Sequence, residues 1–158
     1  VTARSIAAFA ASLPARGVLM GLDLGSRTIG VAFCDAEWRF ASPAATVTRR
    51  KQASDFSELR RLAGERRLAG IVLGYPINMD GSSGPRAQAT RAFARALDAE
   101  FGLPVLLHDE RLSTHAVEET LITTGVSRSR REARIDALAA AHILQGAIDA
   151  LAELGARG

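Results

Sequence analysis

A chain of 158 residues with a 47% hydrophobic and 23% charged composition fits one soluble-type globular domain. Its single cysteine, Cys34, excludes an internal disulfide and argues against a zinc–thiolate site, so a reducing cytoplasm is the expected compartment. The net charge of +3 is modest, but 19 of its 20 basic residues are arginine, the residue suited to bidentate phosphate contacts, and no uninterrupted apolar run approaches the roughly 20 residues of a membrane span.

Residues 1–16 hold Arg4 and Arg16 and no acid. The apolar run Ile6 to Leu13 is short for a signal peptide and has no positive cluster before it, so a flexible leader ending at Pro14 is expected. Val18–Leu24 and Ile29–Asp35 read as strands joined by a short turn, a β-hairpin. Asp23 is the odd residue in it, because aspartate is depleted in strands and costly to bury alone. Gly21, Gly25 and Gly30 leave backbone room beside it, which suits a closely approaching ligand. Phe40 to Val47 is a third strand, with Pro43 pushing it toward a sheet edge. Asp55 is expected to cap a helix, with Glu58 completing a capping box and Phe56, Leu59, Leu62 and Ala63 at helical spacing.

Gly70 to Gly74 is a short apolar strand, as for a strand buried on both faces. A turn-rich segment, Tyr75 to Pro85, leads into a helix from about Arg86 to Phe101, with Ala89, Phe93, Leu97 and Phe101 in one row and Gly102 as its stop. Its Asp80–Arg86 portion could contact phosphate, act as a lid or be an ordinary turn. Pro104 to His108 is a fifth strand, followed at once by Asp109-Glu110-Arg111. Ser113 or Thr114 opens a third helix that ends near Gly125. A fourth starts at the Ser129–Glu132 capping box and runs to about Glu153, with Ile135, Leu138, Ala139, His142 and Ile143 as its apolar side. The order β-β-β-α-β-α-β-α-α implies a mixed sheet covered by helices, with ligands at the carboxyl ends of the parallel strands.

Three acids stand out by position. Asp23 ends the first strand, Glu110 follows the fifth, and Asp136 lies on the sheet-facing side of the last helix. Clustered carboxylates repel one another, and a hard divalent cation such as Mg²⁺ relieves the repulsion while leaving coordination sites for water and phosphate. For Asp35, Asp80 and Asp109 an ordinary cap or surface role is expected. Arg27, Arg111, Arg128, Arg130, Arg131 and Arg134 flank the acids. Their bland reading is solvated surface charge; metal-binding acids ringed by arginine instead suit a phosphodiester polymer. No Gly-x-Ser-x-Gly elbow and no P-loop is present, and the histidines lack zinc spacing. Eight aromatic residues give little for a base-stacking platform.

Gly21-Leu22-Asp23-Leu24-Gly25 with Ile29-Gly30-Val31-Ala32, Gly74-Tyr75-Pro76-Ile77-Asn78-Met79-Asp80-Gly81, Asp109-Glu110-Arg111-Leu112-Ser113-Thr114, and Ile135-Asp136-Ala137-Leu138-Ala139-Ala140 with Ile143-Leu144 resemble, in order, four motifs of the YqgF family, also called RuvX. Tyr75 departs from its commoner leucine. The resemblance spans about Gly17 to Leu151. It implies an RNase H-like α/β fold with a central five-stranded mixed sheet and helices on both faces, as one nuclease domain over residues 17–158. It further implies a cytoplasmic nuclease, dependent on Mg²⁺ with Mn²⁺ as a substitute, that matures the 5′ end of pre-16S ribosomal RNA. By motif, Asp23, Glu110 and Asp136 take the metal-ligand and catalytic roles; the related RuvC resolvases use four acids, of which three are matched here. Expected partners are structured RNA, branched DNA as the alternative, and a pre-ribosomal particle, with no membrane and a monomeric or homodimeric state. Competing readings are a Holliday junction resolvase, a non-catalytic RNA- or ribosome-binding module, and a sugar-kinase-like ATPase. The last needs two such domains where this length supplies one.

Overall fold

The computed structural model describes residues 2–76, 84–109 and 128–157, the last stretch with side chains for residues 134–155. Its strands are β1 (Thr2–Ala3), β2 (Val18–Leu24), β3 (Thr28–Cys34), β4 (Ala41–Thr48), β5 (Leu68–Tyr75) and β6 (Val105–Asp109). Its helices are α1 (Ile6–Ser12), α2 (Gln52–Ala63), α3 (Pro85–Phe101) and α4 (Arg128–Arg157). The third helix expected from Ser113 to Gly125 and the Ser129–Glu132 capping box lie outside the described residues or side chains.

The strands form one sheet in the order β1-β6-β5-β2-β3-β4. β1, β6, β5 and β2 run parallel, while β2-β3 and β3-β4 are antiparallel. The five expected strands are all present, and the sixth comes from the leader. Thr2 and Ala3 pair with Val105 and Leu106, Ser5 caps α1 by accepting the Ala8 N–H at 3.0 Å, and Phe9 is fully buried. The leader is therefore packed on the sheet rather than frayed, because Phe9 and Leu13 fill the space that Gly70 leaves on β5.

Alternation along the strands sends side chains to two cores, one on each face. Met20, Leu22, Ile71 and Leu73 pack with Phe56 and Leu59 of α2 and Phe93 and Leu97 of α3. Leu19, Val72 and Leu106 pack on the other face with Phe9 of α1 and Leu144 and Ile148 of α4. Each fully buried large apolar side chain is worth about 1.5–3 kcal/mol. Pro43 sits on the edge strand β4 at a register slip, where its missing N–H leaves no interior ladder bond unmade.

Several local expectations change. α2 begins a turn before Asp55, which is buried in the first turn and accepts the Arg50 N–H at 2.9 Å, while Glu58 pairs with Arg61. On α3 the buried stripe is Ala87, Thr90, Phe93, Ala94 and Leu97, and Ala89 is exposed. On α4 the buried side centres on Ala137, Ala140, Leu144, Ala147 and Ile148, and His142 is exposed, not core. The stretch Arg134–Gly155 is long and apolar enough to cross a membrane by length and composition, though polar residues interrupt it; in the fold its apolar side lies on β2, β3 and β4.

After β3 the chain turns on Asp35, whose carboxylate accepts the N–H groups of Arg39 and Phe40, each at 2.8 Å. Those bonds, the one from Phe40 foremost, hold the Asp35 pKa below its ordinary 3.8. The folded state thus binds the proton less readily than the unfolded chain, and Asp35 stabilises the fold above the unfolded pKa. At pH 7 Asp35→Ala should unfold at lower urea than the parent. The gap should narrow as pH falls through the folded pKa, and a gap independent of pH would assign the effect to the lost side chain rather than its charge.

Candidate active site

Asp23 is the penultimate residue of β2, at the carboxyl end of a parallel strand. By alternation with Leu19 and Gly21 it lies on the face covered by α4, and it is half-buried. Across the hairpin it pairs with Gly30 of β3. Gly30 is also where α4 touches the sheet: a Cβ there would lie 1.9 Å from the Asp136 carbonyl oxygen. The backbone segments that carry Asp23 and Asp136, over a hundred residues apart in the chain, therefore meet at one glycine.

Gly21 serves the same contact, since a Cβ there would come within 2.7 Å of the Leu144 Cβ and 2.9 Å of the Ala140 carbonyl. The room read as ligand space beside Asp23 is thus taken, at Gly21 and Gly30, by α4. At Gly25 the neighbour is the turn itself, where the Gly25 N–H donates to the Thr28 carbonyl at 2.8 Å.

Thr28, first residue of β3, projects to the same face as Gly30. Its hydroxyl donates to Asp136 Oδ2 at 2.7 Å. That bond orients the half-buried carboxylate and uses one of its roughly four acceptor positions. Thr28 was not singled out from the sequence. Two-residue alternation back from Gly30 is the signal that points to it.

The arginines divide. Arg27 is exposed in the hairpin turn, and Arg134 is exposed on α4 two residues before Asp136. Arg134 also lines a cleft of about 510 Å³ between α4 and the Pro43–Thr46 stretch of β4. Arg49, missed in the sequence, locks the turn beside Asp23. Its guanidinium donates to the Gly25 carbonyl at 2.6 Å and its N–H to the Arg27 carbonyl at 2.8 Å. Glu110 and Arg111 lie outside the described residues, as do Asp80 and the side chains of Arg128, Arg130 and Arg131. Among the described residues no three potential ligands form a metal cluster. The backbones that carry Asp23 and Asp136 come together at Gly30; Asp109, which precedes Glu110, closes β6 at the same carboxyl edge.

Asp23 and Asp136 offer carboxylate oxygens at this edge, with the Thr28 hydroxyl donating to one of those of Asp136. That chemistry fits a hard divalent cation.

Over residues 17–150 the chain matches the family described as RuvX, Holliday junction resolvase. It is 57% identical over 143 residues to a Sphingopyxis alaskensis protein, covering 90% of this chain and 93% of that one. It is 55% identical over 136 residues to a Novosphingobium aromaticivorans protein, covering 86% and 87%. A Zymomonas mobilis relative is 49% identical over 144 residues, covering 91% and 88%. All three bear the name "Putative pre-16S rRNA nuclease".

Proposed function

The chain belongs to the RuvX family, and from that premise we propose that it is a metal-dependent nuclease that hydrolyses phosphodiester bonds in processing the 5′ end of pre-16S ribosomal RNA. The observation that carries the reading is the meeting of Asp23 and Asp136 at Gly30, with Thr28 holding the second carboxylate.

In this reading Asp23, Asp136 and Glu110 hold Mg²⁺, or Mn²⁺ in its place. Such a cation supplies Lewis-acid polarisation of the phosphoryl group and lowers the pKa of a bound water. The protein's own part is positional. Thr28 fixes the Asp136 carboxylate, and the Arg49 contacts fix the turn that follows Asp23. Arg27 and Arg134, with Arg111, Arg128, Arg130 and Arg131, offset the charge of the phosphodiester strand drawn across the acids. The work belongs in the cytoplasm, on structured RNA or a pre-ribosomal particle.

The family's description favours a second substrate, the four-way DNA junction. Junction cleavage calls for a two-fold assembly matching a two-fold substrate. A side-by-side digest of a pre-16S transcript and a four-way DNA junction, with Mg²⁺ and with EDTA, separates the readings. Mg²⁺-dependent cutting of the transcript, with the junction intact, is expected. Cutting of the junction alone reassigns the substrate. Binding of either without cutting would show a non-catalytic module.

A further inference from the structure

We propose that Arg49 is a substrate-contacting residue, whose guanidinium, seated on the Gly25 carbonyl, binds the backbone phosphate next to the scissile one. The proposal rests on the nuclease reading above and gives Arg49 a task beyond locking the hairpin turn.

Arg49 is the first residue after β4 and is exposed. Two bonds fix where it stands. Thr48 pairs with Thr28 at the end of the β3–β4 ladder, and the Arg49 N–H continues that ladder by donating to the Arg27 carbonyl at 2.8 Å. The side chain then reaches past the start of β3, where its guanidinium donates to the Gly25 carbonyl at 2.6 Å. Gly25 follows β2 directly, two residues after Asp23. Two residues of chain span at most about 7 Å, a reach comparable with the step between successive phosphates of a nucleic-acid strand.

One turn serves both charges. Its first residue, Gly25, seats the cation, and its last, Thr28, donates to Asp136 Oδ2 at 2.7 Å. The Gly25 N–H closes the turn on the Thr28 carbonyl at 2.8 Å, so the two attachments are tied to each other. The guanidinium is thus held in a set relation to the acid edge, with Arg27 exposed in the same turn.

A turn lock by itself does not call for arginine, because one neutral N–H satisfies a carbonyl. Arginine adds a permanent positive charge and a rigid fork of five donors, of which the Gly25 bond uses one. A fork already anchored gives up less freedom when it takes an anion. Beside acids that hold a hard cation, the anion this chemistry selects is the phosphodiester backbone, whose oxygens accept charge-assisted bonds from guanidinium. Position separates Arg49 from the arginines around it. Arg50, the next residue, lines a cleft on the α2 side with Ser54, Asp55 and Glu58. Arg60 donates to the Glu100 carbonyl at 2.7 Å and pairs with the Glu100 carboxylate, and Arg66 donates to the Leu62 carbonyl while stacked over Phe33. Arg49 donates at the acid-bearing edge.

The test uses the full chain carrying Asp23→Asn to suppress cleavage, as the parent, and an RNA hairpin with a 5′ single-stranded extension. Binding is followed by fluorescence anisotropy across a salt series, with urea unfolding of the same proteins alongside. Arg49→Gln should flatten the slope of log K against log salt by about 0.7 to 0.9, one phosphate contact. Arg49→Lys, which keeps the charge but not the fork, should retain most of the slope, and Arg50→Gln should leave it unchanged. A lower urea midpoint in Arg49→Gln with a parent-like slope would mark a turn lock alone; it overturns the proposal and leaves the nuclease reading standing. So does an Arg49→Lys slope as flat as that of Arg49→Gln, which would mark a role in geometry rather than a charge contact. A parent that binds neither this RNA nor a four-way DNA junction overturns both.

Discussion

Asp23→Asn is expected to abolish Mg²⁺-dependent cleavage while leaving the urea midpoint close to the parent value. Asparagine matches aspartate in size and keeps one carbonyl oxygen on the face under α4, so the packing around Gly30 is not disturbed. What is lost is the negative charge that a hard cation needs from an oxygen ligand. The loss should exceed the roughly 10–100-fold that removing an outer-shell partner costs. Thr28→Val provides that comparison in the same site. It deletes the hydroxyl bonded to Asp136 Oδ2 without touching either carboxylate. Turnover of a precursor transcript should fall by about 10–100-fold in Thr28→Val, and below detection in Asp23→Asn. Equal, parent-like rates in the two variants would discard the assignment of these acids to catalysis.

Among the glycines described above, Gly30→Ala should give the largest loss of stability. The added carbon would lie 1.9 Å from the Asp136 carbonyl oxygen, a backbone atom that cannot rotate away. α4 has to rise from the sheet or β3 has to bend. Overpacking of this kind typically costs about 1–3 kcal/mol and occasionally more, and a backbone clash belongs at the upper end. Gly21→Ala meets the Leu144 Cβ and the Ala140 carbonyl at 2.7 and 2.9 Å and should cost less, because a smaller shift of the helix relieves those longer approaches. Urea unfolding measures both. The same displacement carries Asp136 away from Asp23, so whatever Gly30→Ala remains folded should also have lost turnover. A variant with parent-like stability and parent-like activity would mean that the helix–sheet contact does not hold the acids in place.

Much of this was legible in the sequence because the signals were local. The hairpin from Val18 to Cys34 follows from two apolar runs joined by a short turn after Gly25. Pro43 foretold an edge strand, since a missing N–H is tolerated there and not in the interior. Asp23 and Asp136 were legible as acids placed where apolar residues belong. The contact that joins them was not legible, because it depends on where α4 crosses the sheet. Gly21 and Gly30 looked like ligand space for that reason: a glycine that admits a helix and one that admits a substrate read alike. The leader was misjudged similarly. Its stabilisation comes from Phe9 and Leu13 against Gly70, some sixty residues away, and from a strand of two residues, which has no periodicity to read.

The borders of the sheet carry a consequence for life at high concentration. A strand margin with open N–H and C=O groups recruits other chains and seeds precipitation. Here Thr2 and Ala3 shield Val105 and Leu106 on one margin, and Pro43 with its register slip roughens the other. Trimming the first sixteen residues would strip the first guard and open the hollow beside Gly70 together. Such a shortened chain should cloud on standing well before it melts.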